Sequence, residues 1–174
     1  MLENNKIRLR AVEPSDIEIL YQWENNTNIW IVGENNTPYS RFDIERYVMS
    51  EGDIYTNKQL RLMINTANTN ETVGSIDVFD YNPMHRRAGI GIIIYDTKNR
   101  HKGFASSALE IVIKYAFSEL DIHMLYCNIS ANNTISLNLF KKAGFEICSH
   151  KKNWNRINGN WQDEYTLQLE NKKL

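Results

Sequence analysis

Cysteine, proline and glycine are all scarce in this chain: two, three and eight among 174 residues. Cys127 and Cys148 lie in apolar surroundings, with no second Cys or His at metal-ligand spacing. Two buried, reduced thiols are therefore expected, rather than a disulfide or a metal pair. Neither sign of charge dominates. The 20 Lys and Arg face 21 Asp and Glu, and a net charge of −1 argues against a general nucleic-acid binder. No apolar run approaches the roughly 20 residues that span a bilayer. The opening MLENNKIRLR lacks the apolar core of a secretory signal. The expectation is a cytoplasmic protein with neither membrane nor nucleic acid as a partner. Repeats, linkers and low-complexity tracts are missing too, so one domain over 1–174 is expected.

What is present is a clear alternation of strand and helix patterns. Residues 6–12 (KIRLRAV) alternate apolar and basic side chains, as a half-buried strand does. Glu13-Pro14-Ser15-Asp16 opens a helix with proline in its first turn. A polar stretch, 25–39, is interrupted by Ile29-Trp30-Ile31-Val32, an apolar knot suited to a pocket wall or to packing on the core. A second helix runs from Ser40 to about Met49. From residue 58 the period becomes two, and KQLRLMIN, TVGSIDVFD and HRRAGIGIIIYD read as an antiparallel meander. The unbroken run Ile92-Ile93-Ile94 predicts burial on both faces. A helix over 103–120 follows, with Ala105, Ala108, Leu109, Val112, Ala116 and Leu120 at helical spacing. The strand at 124–129 is reached by that crossover and so lies parallel to the preceding one. Asn132-Asn133 caps a short helix ending at Gly144, and a hairpin around Asn158-Gly159 closes the chain. The fold class is α/β (α+β in some schemes): a mixed, mostly antiparallel sheet of about seven strands flanked by four helices.

The informative stretch is 88–120, a strand, a basic loop with one glycine, and a long helix. Backbone N–H groups are unpaired in the first turn of a helix, and its dipole adds positive potential there. Gly103 permits close approach of an anion, while Lys98, Arg100, His101 and Lys102 supply charge. Spacing alone is also met by a tight strand-to-helix turn with solvated basic residues. Neither G-x-x-x-x-G-K-[ST] nor a strand followed by G-x-G-x-x-G occurs, which excludes a triphosphatase P-loop and the dinucleotide fingerprint.

R-x-x-G-x-A at Arg100 to Ala105 resembles the acetyl-CoA loop of the GNAT family of N-acetyltransferases. Some thirty residues on, NTISLNLFKKAGF, which begins at Asn133, is similar to that family's N-x-x-S-x-x-L-[YF]-x-K-x-G-F helix. The opening KIRLRAVEPSDIEILYQW resembles the branch of ribosomal-protein N-terminal and spermidine acetyltransferases. The resemblance implies that the fourth and fifth strands, 90–95 and 124–129, splay apart. Pantetheine would pair with Ile92, Ile93 and Ile94. Asn99, Arg100, His101, Lys102, Gly103, Phe104 and Ala105 would wrap the pyrophosphate. Asn133, Ser136 and Phe140 would complete the coenzyme contacts from the next helix.

The implied reaction is direct attack of an amine on the acetyl thioester. An amine with a lysine-like pKa near 10.4 is neutral at pH 7 only at a cost of about 4–5 kcal/mol. The oxyanion needs preorganised donors, and the leaving thiolate needs a proton. Many relatives supply that proton from a tyrosine where Phe140 stands; phenylalanine has none to give. Ser136, on the same helix face one turn earlier, is the candidate donor, against the plainer reading of a helix-surface hydroxyl. Relatives often carry a glutamate in the fourth strand, where this chain has Ala88-Gly89-Ile90-Gly91. Asp77, Asp80, Glu34, His85 and Tyr126 are nearby candidates by chain order, and no base is assigned. The expected acceptor is a small cationic amine such as a polyamine, or a peptide α-amine. A non-catalytic acyl-CoA-binding module is the alternative. No metal is expected, and a homo-oligomer is compatible with the sequence.

Overall fold

The structure, a computed structural model, describes residues 2–33, 37–50 and 53–172, without the side chains of 31–33. One sheet runs through it in the order β1-β2-β3-β4-β5-β7-β6. The strands are β1 (Ile7–Ala11), β2 (Leu60–Thr66), β3 (Thr72–Asn82), β4 (Arg87–Ile94), β5 (Met124–Ser130), β6 (Glu146–Ile157) and β7 (Asn160–Glu170). Every pairing is antiparallel except β4 with β5, as the intervening helix requires.

Six α-helices, rather than four, occur among the described residues: α1 (Ile17–Glu24), α2 (Thr27–Gly33), α3 (Arg41–Val48), α4 (Ile54–Asn57), α5 (Phe104–Ser118) and α6 (Thr134–Lys142). The two unforeseen ones are α2 and α4. The apolar knot forms α2, whose β-branched composition hides a helix only seven residues long. Trp30 anchors it by donating from Nε1 to the Glu24 carbonyl at 2.6 Å. The single turn of α4 is too short to show a helical period. Asp53 caps it, accepting from the N–H groups of Tyr55 and Thr56, and Ile54 pins it to the core at 6% exposure. The terminal hairpin turns where expected, at Asn158 (φ 50°) and Gly159 (φ 83°).

Strand alternation divides the sheet into two faces. Leu62, Ile64, Ile76, Val78, Ile90 and Leu125 point to one side, where α5 contributes Ala108, Leu109, Val112 and Ala116, and α6 contributes Leu137 and Phe140. On the other, Met63 meets Leu20 of α1 and Ile44 of α3. Arg61, Asp77, Phe79, Gly89, Gly91 and Tyr126 share this second face by register.

Both cysteines are free, but only Cys127 is buried. Cys148 is exposed because β6 is the outermost strand, so the expectation of two buried thiols holds for one. Among the described residues no helix is long and apolar enough to cross a membrane, and no group of three or more His, Cys, Asp or Glu could hold a metal.

Candidate active site

The parallel pairing of β4 with β5 lasts only from Arg87–Met124 to Gly89–Tyr126. Beyond it β5 continues against β7 and β4 against β3, so one edge of β4 is left without a strand partner. This is the splay. It also explains why Ile92 and Ile93 are half-buried, whereas Ile94 is 8% exposed. The isoleucine run is thus not buried on both faces throughout. Part of it lines an open cleft, and its backbone offers unpaired N–H and C=O groups to a ligand.

A loop leads from the end of β4 to α5. Four of the side chains expected around the anion carry bonds within the protein. The Arg100 guanidinium donates to the carbonyls of Ile94 (Nε, 3.1 Å) and Tyr95 (Nη2, 3.3 Å), which staples the loop onto the end of β4. Asn99 is buried, with Nδ2 on Glu71 at 3.2 Å, and its Oδ1 accepts from Lys102 Nζ at 3.2 Å. Lys98 is paired with Asp96 and Glu71, which raise its pKa in that order of strength. These bonds fix the shape of the loop.

Gly103 is the N-cap of α5 at φ 82°, in the left-handed region that glycine enters without strain. Side chains of Ser40, Asp53 and Asn133 cap α3, α4 and α6 by accepting backbone N–H bonds. Glycine has no such group, so the first N–H groups of the 15-residue α5 stay available to a ligand. A Cβ on residue 103 would come within 3.1 Å of Lys6 Nζ. Lys6 therefore joins the exposed His101 at this helix start, and sequence reasoning missed it because the two segments lie nearly a hundred residues apart. Phe104 and Ala105 pack partly against the core and begin the helix.

On α6, Asn133 Oδ1 accepts from Ser136 N at 3.1 Å, so this side chain is a helix cap. Ser136 is half-buried, and its hydroxyl makes no hydrogen bond among the described residues. Phe140 stands differently from the prediction. It is 2% exposed and packs edge-to-face on Phe145 at 5.1 Å, so it supports α6 from within the core and offers almost no surface to the coenzyme.

Across the sheet, α1, α3 and α4 enclose a cavity of about 1060 Å³ whose walls include Glu24, Asp43, Tyr47, Asp53, Gln59 and Arg61. Arg61 is its central charge, bonded to Glu24 at 2.7 Å and Asp77 at 2.8 Å. Burial works against the Arg61 charge, but Asp77, Tyr47 and Glu24 more than offset it and hold the pKa well above the usual value. Asp77, once a candidate base, is therefore committed to an ion pair. His85 lies exposed in the β3–β4 turn, and Glu34 lies outside the described residues. Trp23 of α1 stacks on Tyr95 at 3.8 Å, tying the cavity to the loop; burial pushes the Tyr95 phenol up to about 12.

Phe79 covers the position of the missing strand carboxylate. A Cβ on Gly89 would lie 2.3 Å from the Phe79 ring, so a side chain there requires that ring to move. Two glycines in one strand were the available signal, since strand glycine marks close approach of another group.

The splay, the glycine-capped helix and the cavity across the sheet coincide with a match to the GNAT acetyltransferase domain over residues 6–146. The chain belongs to the GNAT family. It is an acetyl-CoA-dependent N-acetyltransferase. The spermidine N(1)-acetyltransferase of Vibrio cholerae is 29% identical over 163 residues, covering 92% of this chain and 90% of the relative. The Escherichia coli K12 enzyme of the same name is 25% identical, covering 91% and 83%. A crystal structure of the Vibrio cholerae enzyme with CoA and spermine superimposes with a TM-score of 0.85 at 28% identity, covering 98% of both chains.

Proposed function

We propose that this GNAT enzyme acetylates a primary amine of a flexible polycation of the polyamine class. Its acetyl-CoA would lie in the β4–β5 splay with its pyrophosphate at the start of α5. The observation that carries the donor site is the loss of β5 pairing beyond Gly89, directly before a helix whose glycine cap leaves its N–H groups free. The acceptor reading rests on the spermidine-acetylating relatives and on a cavity where Glu24, Asp43 and Asp53 outnumber Arg46 and Arg61.

In this scheme the free edge of β4 aligns pantetheine by strand-like hydrogen bonds. Backbone N–H groups along that edge stabilise the oxyanion as the C–N bond forms. Ser136, with its uncommitted hydroxyl, protonates the departing thiolate. Ser136→Ala is expected to slow turnover about tenfold or more with little change in acetyl-CoA affinity. Wild-type turnover in that variant would reject the donor role.

The test of the function is thiol release from acetyl-CoA in the presence of spermidine, spermine, an α-amino peptide or an aminoglycoside. A Cys148→Ser background removes the exposed protein thiol from the readout. Release that depends on spermidine or spermine is the expected result. Binding of acetyl-CoA without release for any amine would make the chain a binding module, and release with the peptide alone would overturn the polyamine assignment. Self-association is part of the proposal: Trp154 and Trp161 near the outer β6 edge are 57% and 61% exposed, and a Vibrio cholerae relative has a dodecameric structure. Sedimentation as a monomer at micromolar concentration would reject it.

A further inference from the structure

Tyr126 and Asp80 occupy a distinctive place. Tyr126 lies opposite Gly89 in the last β4–β5 pair, so its side chain stands on the acceptor face where the two strands part. Its phenol donates to Asp80 Oδ2 at 3.0 Å, and its ring packs edge-on to Phe79 at 6.1 Å. Asp80 sits in a β-bulge between Phe79 and Asn82, at φ 49°. The bulge breaks strand alternation there and lets the carboxylate reach the face that carries Phe79 and Tyr126. Both residues line a cavity of about 610 Å³, together with Lys58, Met84 and Arg87.

Three carboxylates on this face are committed, while Glu146, opposite Gln168 toward the outer strand, is exposed to solvent. Asp77 and Glu24 hold Arg61. Glu164, 3% exposed, is bonded to Lys151 and Asn155 at 2.8 Å each. Asp80 makes no ion pair within 4 Å among the described residues, and its named partner is the phenol. Phe79 meanwhile closes the space above Gly89 from which a carboxylate on β4 would emerge. Tyr126 on β5 and Asp80 in the β3 bulge are the proton-accepting pair placed at the end of the splay.

We propose that Tyr126 and Asp80 form the proton relay on the amine side of the transfer, Tyr126 touching the attacking nitrogen and Asp80 receiving the proton. This rests on the acetyltransferase reading above. The neutral amine attacks the thioester carbonyl, a C–N bond forms and the C–S bond breaks. The nitrogen proton passes to Tyr126 Oη as the phenol proton passes to Asp80, which releases it to water. The thiolate takes a proton from the opposite side. Burial, then the bond to Asp80, pushes the Tyr126 phenol up to about 12, so it stays protonated at neutral pH and serves as a relay, not as a tyrosinate.

Steady-state kinetics with spermidine test the relay. Tyr126→Phe keeps the ring contact with Phe79 and is expected to lower kcat about 100-fold, with the KM for acetyl-CoA unchanged. Asp80→Asn should fall in the same range, and the double variant should be no slower than the worse single one, because the two act as a unit. Adding Phe79→Ala and Gly89→Glu to Tyr126→Phe should restore at least tenfold, by opening room for a carboxylate on β4. Full turnover by Tyr126→Phe would overturn the relay alone. So would a rise in amine KM at unchanged kcat, which would make Tyr126 a binding contact. A wild-type enzyme that releases no thiol with any amine would instead overturn the acetyltransferase reading, and the relay with it.

Discussion

On the face that carries α5 and α6, Leu109, Val112, Ile76, Ile90 and Leu125 fill the space between helix and sheet, each 1% exposed or less. On the opposite face, under α1 and α3, Leu20, Ile44 and Met63 form a much smaller apolar cluster, and charge takes over beside it. Arg61 joins Glu24 to Asp77 there, and Arg10 grips Asp16 through two bonds of 2.7 Å. The donor side is thus held by non-directional burial, which tolerates an open cleft next to it because the rigid α5 and β4 need no further support. The acceptor side is held by ion pairs whose geometry must be maintained. A polar-lined cavity and a large apolar core cannot occupy the same layer.

The largest test of that contrast is Arg61→Ala. It leaves Glu24 and Asp77 together without their cation, and should cost about 3 kcal/mol, somewhat below a fully buried pair because some surface is exposed. For a chain of this size that is roughly 6–12 °C in Tm. A Tm within 2 °C or so of wild type would break the comparison. Gly103→Asp should do the reverse. It should weaken acetyl-CoA binding about tenfold or more, through repulsion of the pyrophosphate, while left-handed strain costs only about 1 kcal/mol of stability. Unchanged affinity in the folded variant would contradict the cradle.

Acid should loosen the α1–α3 side first. Burial opposes the Asp16 charge, but bonds from Arg10 and the Glu13 N–H outweigh it and lower the pKa from 3.8. A carboxyl whose folded pKa is depressed adds stability that is present above the unfolded pKa and lost as pH falls through the folded one. Hydrogen exchange below about pH 4 should accordingly rise in α1 before α5. Asp16→Asn should reduce that pH dependence; equal protection of both helices at low pH would refute the ordering. The smallest effect is expected at the seam. Trp23→Leu should lose about 1 kcal/mol from the stack on Tyr95, read as a shifted denaturation midpoint.

The helices α1, α3, α5 and α6, the β2–β3–β4 meander with its parallel β5, and the terminal hairpin were legible because each carries a period of 2 or 3.6 bounded by a cap or turn. One-turn α4 and seven-residue α2 were not, since neither is long enough to display a period. Within the site, Gly103 and the uncapped start of α5 could be read locally. Side-chain destinations could not. Arg100 and Asn99 bear the residue types of an anion site yet bond to protein groups, and Phe140 fits a coenzyme motif yet lies in the core.

By itself, the sequence determined the splay's ingredients: a strand rich in isoleucine, a glycine at the helix start, a crossover to a parallel strand, and the family those features belong to. Local chemistry suffices for these, because a glycine cap or an alternating strand is specified within a few residues. Tertiary structure alone decided that Lys6 meets Gly103, that Phe79 closes the space over Gly89, and that Tyr126 finds Asp80 through a bulge. Each depends on strand register, which sets which side chains share a face, and register arises only when distant segments pair.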